Sequence, residues 1–149
     1  MKGPRTDGVD PAARGRARRR ALQALYAWQL SGTPIAEVIG QFADEQQMEI
    51  ADVPYFEALV HGVVLHRDEL DAALQPWIDR EVAAIDPIER AVLRLAAFEL
   101  LHRPDVPYRV VINEAVDIAK RFGAVHGHTF VNGVLDRVAF QSRALEYRR

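Results

Sequence analysis

The 149-residue sequence has no cysteine. That absence removes disulfides, thiolate metal ligands and thiol nucleophiles together, and it suits a reducing cytosol, so a cytoplasmic location is expected. Serine is scarce as well: only Ser31 and Ser142 occur, neither within the glycine-flanked elbow a hydrolase needs. No glycine-rich phosphate loop is present. Hydrophobic runs are short, none approaching the roughly eighteen apolar residues of a membrane span. The N-terminal arginines are not followed by the apolar stretch of about seven or more residues that a signal peptide requires. Neither export nor a membrane partner is expected. The carboxylates Glu89, Glu99 and Glu114 are spread along helical segments where capping and surface pairing account for them. His126-Gly127-His128 is half a zinc site with no cysteine or loop carboxylate to complete it, and His61, His66 and His102 look scattered. The expectation is a protein that is not an enzyme, with no cofactor and no metal.

What is abundant is arginine, seventeen residues against two lysines. The net charge of −2 hides an asymmetry, because residues 1–20 sum to +5 and the remainder to −7. A basic end on an acidic body attracts polyanions at one place only. The planar guanidinium grips phosphate with two parallel hydrogen bonds and stacks on bases, so the bias fits RNA. The cluster Arg14, Arg16, Arg18, Arg19 and Arg20 sits in the first turns of a helix, where positive charge opposes the macrodipole, so its purpose is not helix stabilisation. Helical spacing puts Arg14 and Arg18 on one face, with Arg16, Arg19 and Arg20 around the adjacent one.

Residues 1–10, rich in glycine, proline and charge, read as a flexible tail, and residues 11–149 as a single domain. Asp10-Pro11 caps a first helix that runs to Ser31-Gly32. Thr33-Pro34 starts a short second helix carrying Ile35, Val38, Ile39 and Phe42; a polar connector spans 44–52. Pro54 opens a third, with Tyr55, Phe56, Leu59, Val60 and Val63 at spacings of three and four. A fourth carries Leu70, Leu74, Trp77 and Ile78. Asp86-Pro87-Ile88-Glu89 combines a capping aspartate, proline at the first helical position and a glutamate placed to close a capping box. The fifth helix starts there and stops before Pro104 and Pro107. A sixth runs from about Tyr108 to Gly123, and after a loop at 124–128 a seventh carries Phe130, Val131, Val134, Leu135 and Val138. No segment alternates as a strand does, and there is no internal repeat. The expected fold is all-α, a compact seven-helix bundle.

Three stretches, RGRARRRALQALYAWQLSG, IDPIERAVLRLAAFELL, and DVPYRVVINEAVDIAKRFG followed by HTFVNGVLDRV, resemble in order and spacing the NusB family of bacterial transcription antitermination factors. The similarity extends from Arg14 to about Val138. It implies the NusB fold and a role in binding, together with NusE, the boxA-type single-stranded RNA of nascent ribosomal RNA, within the RNA polymerase antitermination complex. It further implies RNA contacts by Arg14, Arg16, Arg18 and Arg19, continuing onto His128, Thr129 and Phe130 and onto Arg94 and Arg109. Tyr26 and Glu89 match positions of the NusE interface. Gly15 departs from the family, where arginine is common. Periodicity alone would place Phe130 in the core, whereas the resemblance implies a ring stacked under a base; Glu89 reads equally as a capping residue and a partner contact. Monomer and homodimer both occur among such proteins. Two other functions are compatible with the residues: the RNA-binding domain of an RNA methyltransferase, for which these residues hold no cofactor-binding region, and a helical adaptor whose basic segment merely orients it.

Overall fold

The computed structural model describes residues 9–43 and 51–148. The expected flexible tail up to residue 8 and most of the connector 44–52 lie outside the described residues. Eight α-helices are present among the described residues: α1 (Pro11–Ser31), α2 (Ile35–Ala43), α3 (Val53–Leu65), α4 (Arg67–Leu74), α5 (Pro87–His102), α6 (Tyr108–Phe122), α7 (Gly127–Ser142) and a single turn, α8 (Ala144–Tyr147). No strand occurs among them.

The helix starts follow from local chemistry. Asp10 accepts the Ala12 N–H at 3.0 Å, Asp52 that of Tyr55 at 3.1 Å and Asp86 that of Ile88 at 2.9 Å, each beside a proline whose missing N–H costs nothing in a first turn. Gly32 closes α1 in the left-handed region at φ 72°, where a Cβ would be strained. The fourth helix is shorter than expected. Pro76 cannot continue it, so Gln75–Trp77 forms a 3₁₀ turn and Ile78 leaves the helix in extended conformation. The Gln75 side chain ties this turn down, donating to the Arg80 carbonyl at 2.7 Å and accepting the Val82 N–H at 3.2 Å.

Helix α5 is the axis of the molecule, packed by α1, α3, α4, α6 and α7. Every residue from 91 to 100 is buried, as a helix surrounded on all sides requires. Leu25, Leu59, Leu93 and Leu135 are wholly withdrawn from water, each worth ~1.5–3 kcal/mol by transfer alone. Three charged residues of α5 share that burial, Glu89, Arg94 and Glu99, and the last two are held by neighbouring helices.

The eighth helix was not expected, and it acts as a cap for two others. Arg143, at the α7–α8 junction, donates to the carbonyls of Leu100 at 2.8 Å, Glu99 at 3.1 Å and Arg103 at 3.0 Å around the end of α5; those of Glu99 and Arg103 also accept the backbone N–H groups of Arg103 and Val106. Glu146 binds Arg143 at 2.6 Å and accepts the Tyr108 N–H at 2.8 Å, placing a carboxylate at the positive end of α6 where Pro107 offers no capping side chain. Tyr147 stacks on Tyr108 with ring centroids 5.1 Å apart.

Candidate nucleic-acid interface

The arginine-rich segment divides into two faces with different fates. On the inner face, Arg18 is only 4% exposed and grips Glu99 with the Nε edge of its guanidinium, Nε at 3.0 Å from Oε2 and 3.1 Å from Oε1, and a terminal nitrogen at 2.8 Å from Oε2. The Tyr55 hydroxyl donates to the same carboxylate, and Glu114 stands 3.6 Å from Arg18. Burial alone would lower the Arg18 pKa, but the charge and hydrogen bonds of Glu99 outweigh it and carry the value upward. Burial and then Glu99 push the Tyr55 hydroxyl up, which fixes it as a donor. Arg14 lies over the Tyr55 ring, 4.0 Å from its centroid, with Asp52 at 3.5 Å and Asp105 at 3.7 Å, while Arg103 approaches the ring at 4.8 Å. Arg14 and Arg18 do share a helix face, as their spacing predicts, and that face is turned to the protein.

The adjacent face is open. Arg16, Arg19, Arg20 and Gln23 of α1, with Arg121 and Phe122 from the end of α6, line a groove of about 180 Å³. Arg20 donates to Gln23 at 2.7 Å, and Phe122 is 37% exposed, an aromatic ring among four guanidinium groups. Arg121 and Lys120 stand in the last turn of α6, where cations complement the helix dipole. Sequence reasoning missed Arg121 and Phe122. The available signal was a basic pair and an aromatic just before a helix-ending glycine, which reads first as a helix terminus. A Cβ on Gly15 would lie 3.5 Å from Glu114 and 3.6 Å from Arg19, ordinary contact distances, so the departure at Gly15 reflects no lack of room for a methyl group.

From this groove the chain passes through the α6–α7 loop to His128, Thr129 and Phe130, and Glu89 holds that loop. Its side chain does not close the expected capping box with Asp86. It accepts the Ala124 N–H at 3.0 Å from a position only 4% exposed. A Cβ at Gly127 would fall 2.0 Å, and one at Gly123 2.4 Å, from its Oε2, so the two glycines make space for the carboxylate. Burial raises the Glu89 pKa; the Ala124 N–H opposes this and the Asp86 carboxylate adds to it. Phe130 is half-buried against the core and lines an open groove of about 660 Å³ with Trp77, Ile78, Thr129 and Arg137. Arg80 stands 5.7 Å from its ring centroid and Arg137 5.9 Å from that of Trp77. Tyr26 is 37% exposed on α1.

Two further candidates stand apart. Arg94 is 7% exposed, bound to Asp71 at 2.8 and 2.9 Å and to Gln29 at 3.0 Å; Gln29 in turn donates to the Pro87 carbonyl at 3.0 Å. Arg109 is exposed beside the Tyr108 ring, in a separate pocket with Asn113, Asn132 and Asp136.

Residues 15–140 match the model of the NusB family. The chain belongs to the NusB family. The transcription antitermination protein NusB of Xanthomonas campestris pv. campestris (strain B100) is 65% identical to it over 142 residues, 95% of this chain and 89% of that protein. The NusB structure from T. maritima superimposes with a TM-score of 0.80 at 27% identity, each chain covered in full. A crystal structure of antitermination factors NusB and NusE in complex with dsRNA matches with a TM-score of 0.74 at 26% identity, covering 87% of this chain and 98% of that one.

This NusB-family chain also carries a polar cluster away from the basic groove. His66 and His102, which the sequence presents as scattered, stack with ring centroids 4.1 Å apart, and Phe98 continues the stack 5.4 Å from His102. Both imidazoles meet Glu69 Oε1, His66 Nδ1 at 3.2 Å and His102 Nε2 at 2.9 Å. Among the described residues, no helix is long and apolar enough to cross a membrane.

Proposed function

We propose that this chain is a transcription antitermination factor that binds boxA-type RNA of nascent ribosomal RNA together with NusE and joins the RNA polymerase antitermination complex in the cytoplasm. It works by binding and catalyses no reaction, with residues 11–149 acting as one domain. The observation that carries the RNA reading is the groove where Arg16, Arg19, Arg20 and Arg121 surround the exposed Phe122 ring. Guanidinium groups supply phosphate contacts, and an aromatic face among them offers a platform for a base. The 65% identity to an antitermination protein and the likeness to NusB bound to NusE and dsRNA support the same assignment.

In this reading Arg16 and Arg19 contact RNA directly, and His128, Thr129, Phe130 and Arg109 extend the surface. Arg14, Arg18 and Arg94 act from beneath: each is tied to carboxylates of this chain and sets the position of the helices that carry the contact residues. Tyr26 offers NusE an exposed ring, and Glu89 shapes the α6–α7 loop near that partner. The test is titration of boxA-type single-stranded RNA, and of a duplex of matching composition, at several salt concentrations with and without NusE. Replacing Arg16, Arg19 and Arg121 by alanine should flatten the log–log salt dependence for the single strand by ~2, at roughly 0.7 per lost phosphate contact. An unchanged slope would overturn the assignment of the groove. Tyr26→Asp should weaken the NusE complex while leaving thermal stability nearly unaltered.

A further inference from the structure

We propose that His66, Glu69 and His102 form a binding site for a divalent transition-metal ion of the zinc class. The three side chains each offer one ligand atom, and these atoms lie within 4.8 Å of one another. Imidazole and carboxylate are the donors such ions take in sites with three protein ligands, where water fills the fourth position. Two of the three spacings are already close to what an ion needs. Zinc bonds of ~2.0–2.1 Å in a tetrahedron set neighbouring ligand atoms about 3.3 Å apart, and the two imidazole nitrogens stand 3.2 and 2.9 Å from the Glu69 oxygen. The two imidazole nitrogens lie within 4.8 Å of each other, so an ion would draw them together by up to about 1.5 Å, each ring presenting its unprotonated nitrogen and keeping its proton on the other.

The frame is organised before any ion arrives. The ring stack continuing onto Phe98 holds both imidazoles beside Glu69, and because rings only 24° from parallel send their in-plane lone pairs along lines that do not meet at one ion, one ring turns out of the stack on binding. His66 and Glu69 sit one turn apart at the start of α4, while His102 closes the last turn of α5, so the ion joins the α3–α4 corner to the central helix. The side chains are 34%, 48% and 29% exposed, which leaves the open side that solvent and the fourth ligand require. The plain alternative is a hydrogen-bonded stack with no affinity for metal, and the two readings part on titration.

Zinc chloride titrated calorimetrically into the full chain in chelator-free buffer should bind one ion per chain. His66→Asn combined with His102→Asn should weaken this at least tenfold, and Glu69→Gln, which keeps the size of an exposed side chain, should weaken it as well. His126→Gln should leave it unchanged. Cobalt(II) in place of zinc should give visible absorption bands that the double variant lacks, with circular dichroism confirming that each variant is folded. Absence of binding by the unsubstituted chain at submillimolar zinc, or full retention in the folded double variant, would overturn the proposal.

Discussion

Replacing Arg18 by alanine separates the inner face of the arginine segment from the outer one. Arg18 is 4% and Glu99 1% exposed, so the substitution leaves a buried carboxylate whose remaining side-chain hydrogen bond among the described residues comes from the Tyr55 hydroxyl. Removing one partner of a buried ion pair costs ~3–5 kcal/mol, far above the value of an exposed pair, because the remaining charge is stranded. A total stability in the middle or upper part of the usual ~5–15 kcal/mol leaves the variant folded at 25 °C. At about 2–4 °C per kcal/mol for a chain of this size, its Tm should fall by ~6–20 °C. Arg19→Ala, on the outer face, should change stability by no more than ~0.5 kcal/mol. The RNA readout inverts this order: Arg19→Ala should flatten the salt slope by about 0.7, while folded Arg18→Ala should leave it unaltered. Arg18→Met combined with Glu99→Leu, which removes both charges and fills the volume, should be more stable than Arg18→Ala, retaining the ~1–3 kcal/mol cost of an unpartnered Tyr55 hydroxyl. Urea unfolding followed by circular dichroism, beside RNA titrations, measures all of these. A loss below ~1 kcal/mol for Arg18→Ala, together with a flattened slope, would refute the division into two faces.

The Glu89 pKa is raised in the fold, so in the window above the ordinary carboxylate range the folded chain keeps a proton that the unfolded chain has released; stability falls as pH rises through the folded value. Glu89→Gln, which can still accept the Ala124 N–H, should remove that fall, visible by comparing melting curves at acidic and alkaline pH. Gly127→Ala should push the Glu89 carboxylate off the loop and cost ~1–3 kcal/mol through the lost hydrogen bond. Combined with Glu89→Ala it should be clearly less than additive, which a double-mutant cycle would read. Phe130→Ala should lower RNA affinity by ~1–3 kcal/mol and, because the ring is half-buried, reduce stability by less than the ~3–5 kcal/mol typical of a fully buried phenylalanine; equilibrium unfolding and RNA titration measure the two effects separately.

The helix boundaries were legible because their causes are local. Asp10-Pro11, Asp86-Pro87 and Gly32 lie within a few residues of the groups they satisfy, and each acts where expected. The seven main helices and the family resemblance were readable for the same reason, since the matching stretches are continuous. The candidate site was legible in kind and not in aspect. Spacing groups Arg14 with Arg18, but which face turns inward depends on Glu99, 81 residues beyond Arg18. Glu89 likewise has a sufficient local explanation, the capping box, that is displaced by a loop 35 residues away. His66 and His102 meet only because α4 packs on α5, and nothing in their own neighbourhoods announces it. The turn Ala144–Tyr147 is too short for periodicity to reveal; its reason for being helical lies in the ends of α5 and α6.

That last turn also decides where the chain can be cut or extended. A boundary drawn at the end of the visible hydrophobic pattern, after Ser142, would discard Arg143 and Glu146, taking a side-chain donor from three carbonyls around the end of the central helix and the acceptor from the first amide of α6. A protease acting at the α7–α8 junction would do the same damage with a single scission, although the removed piece buries little apolar surface. Any C-terminal fusion should begin only after Arg148.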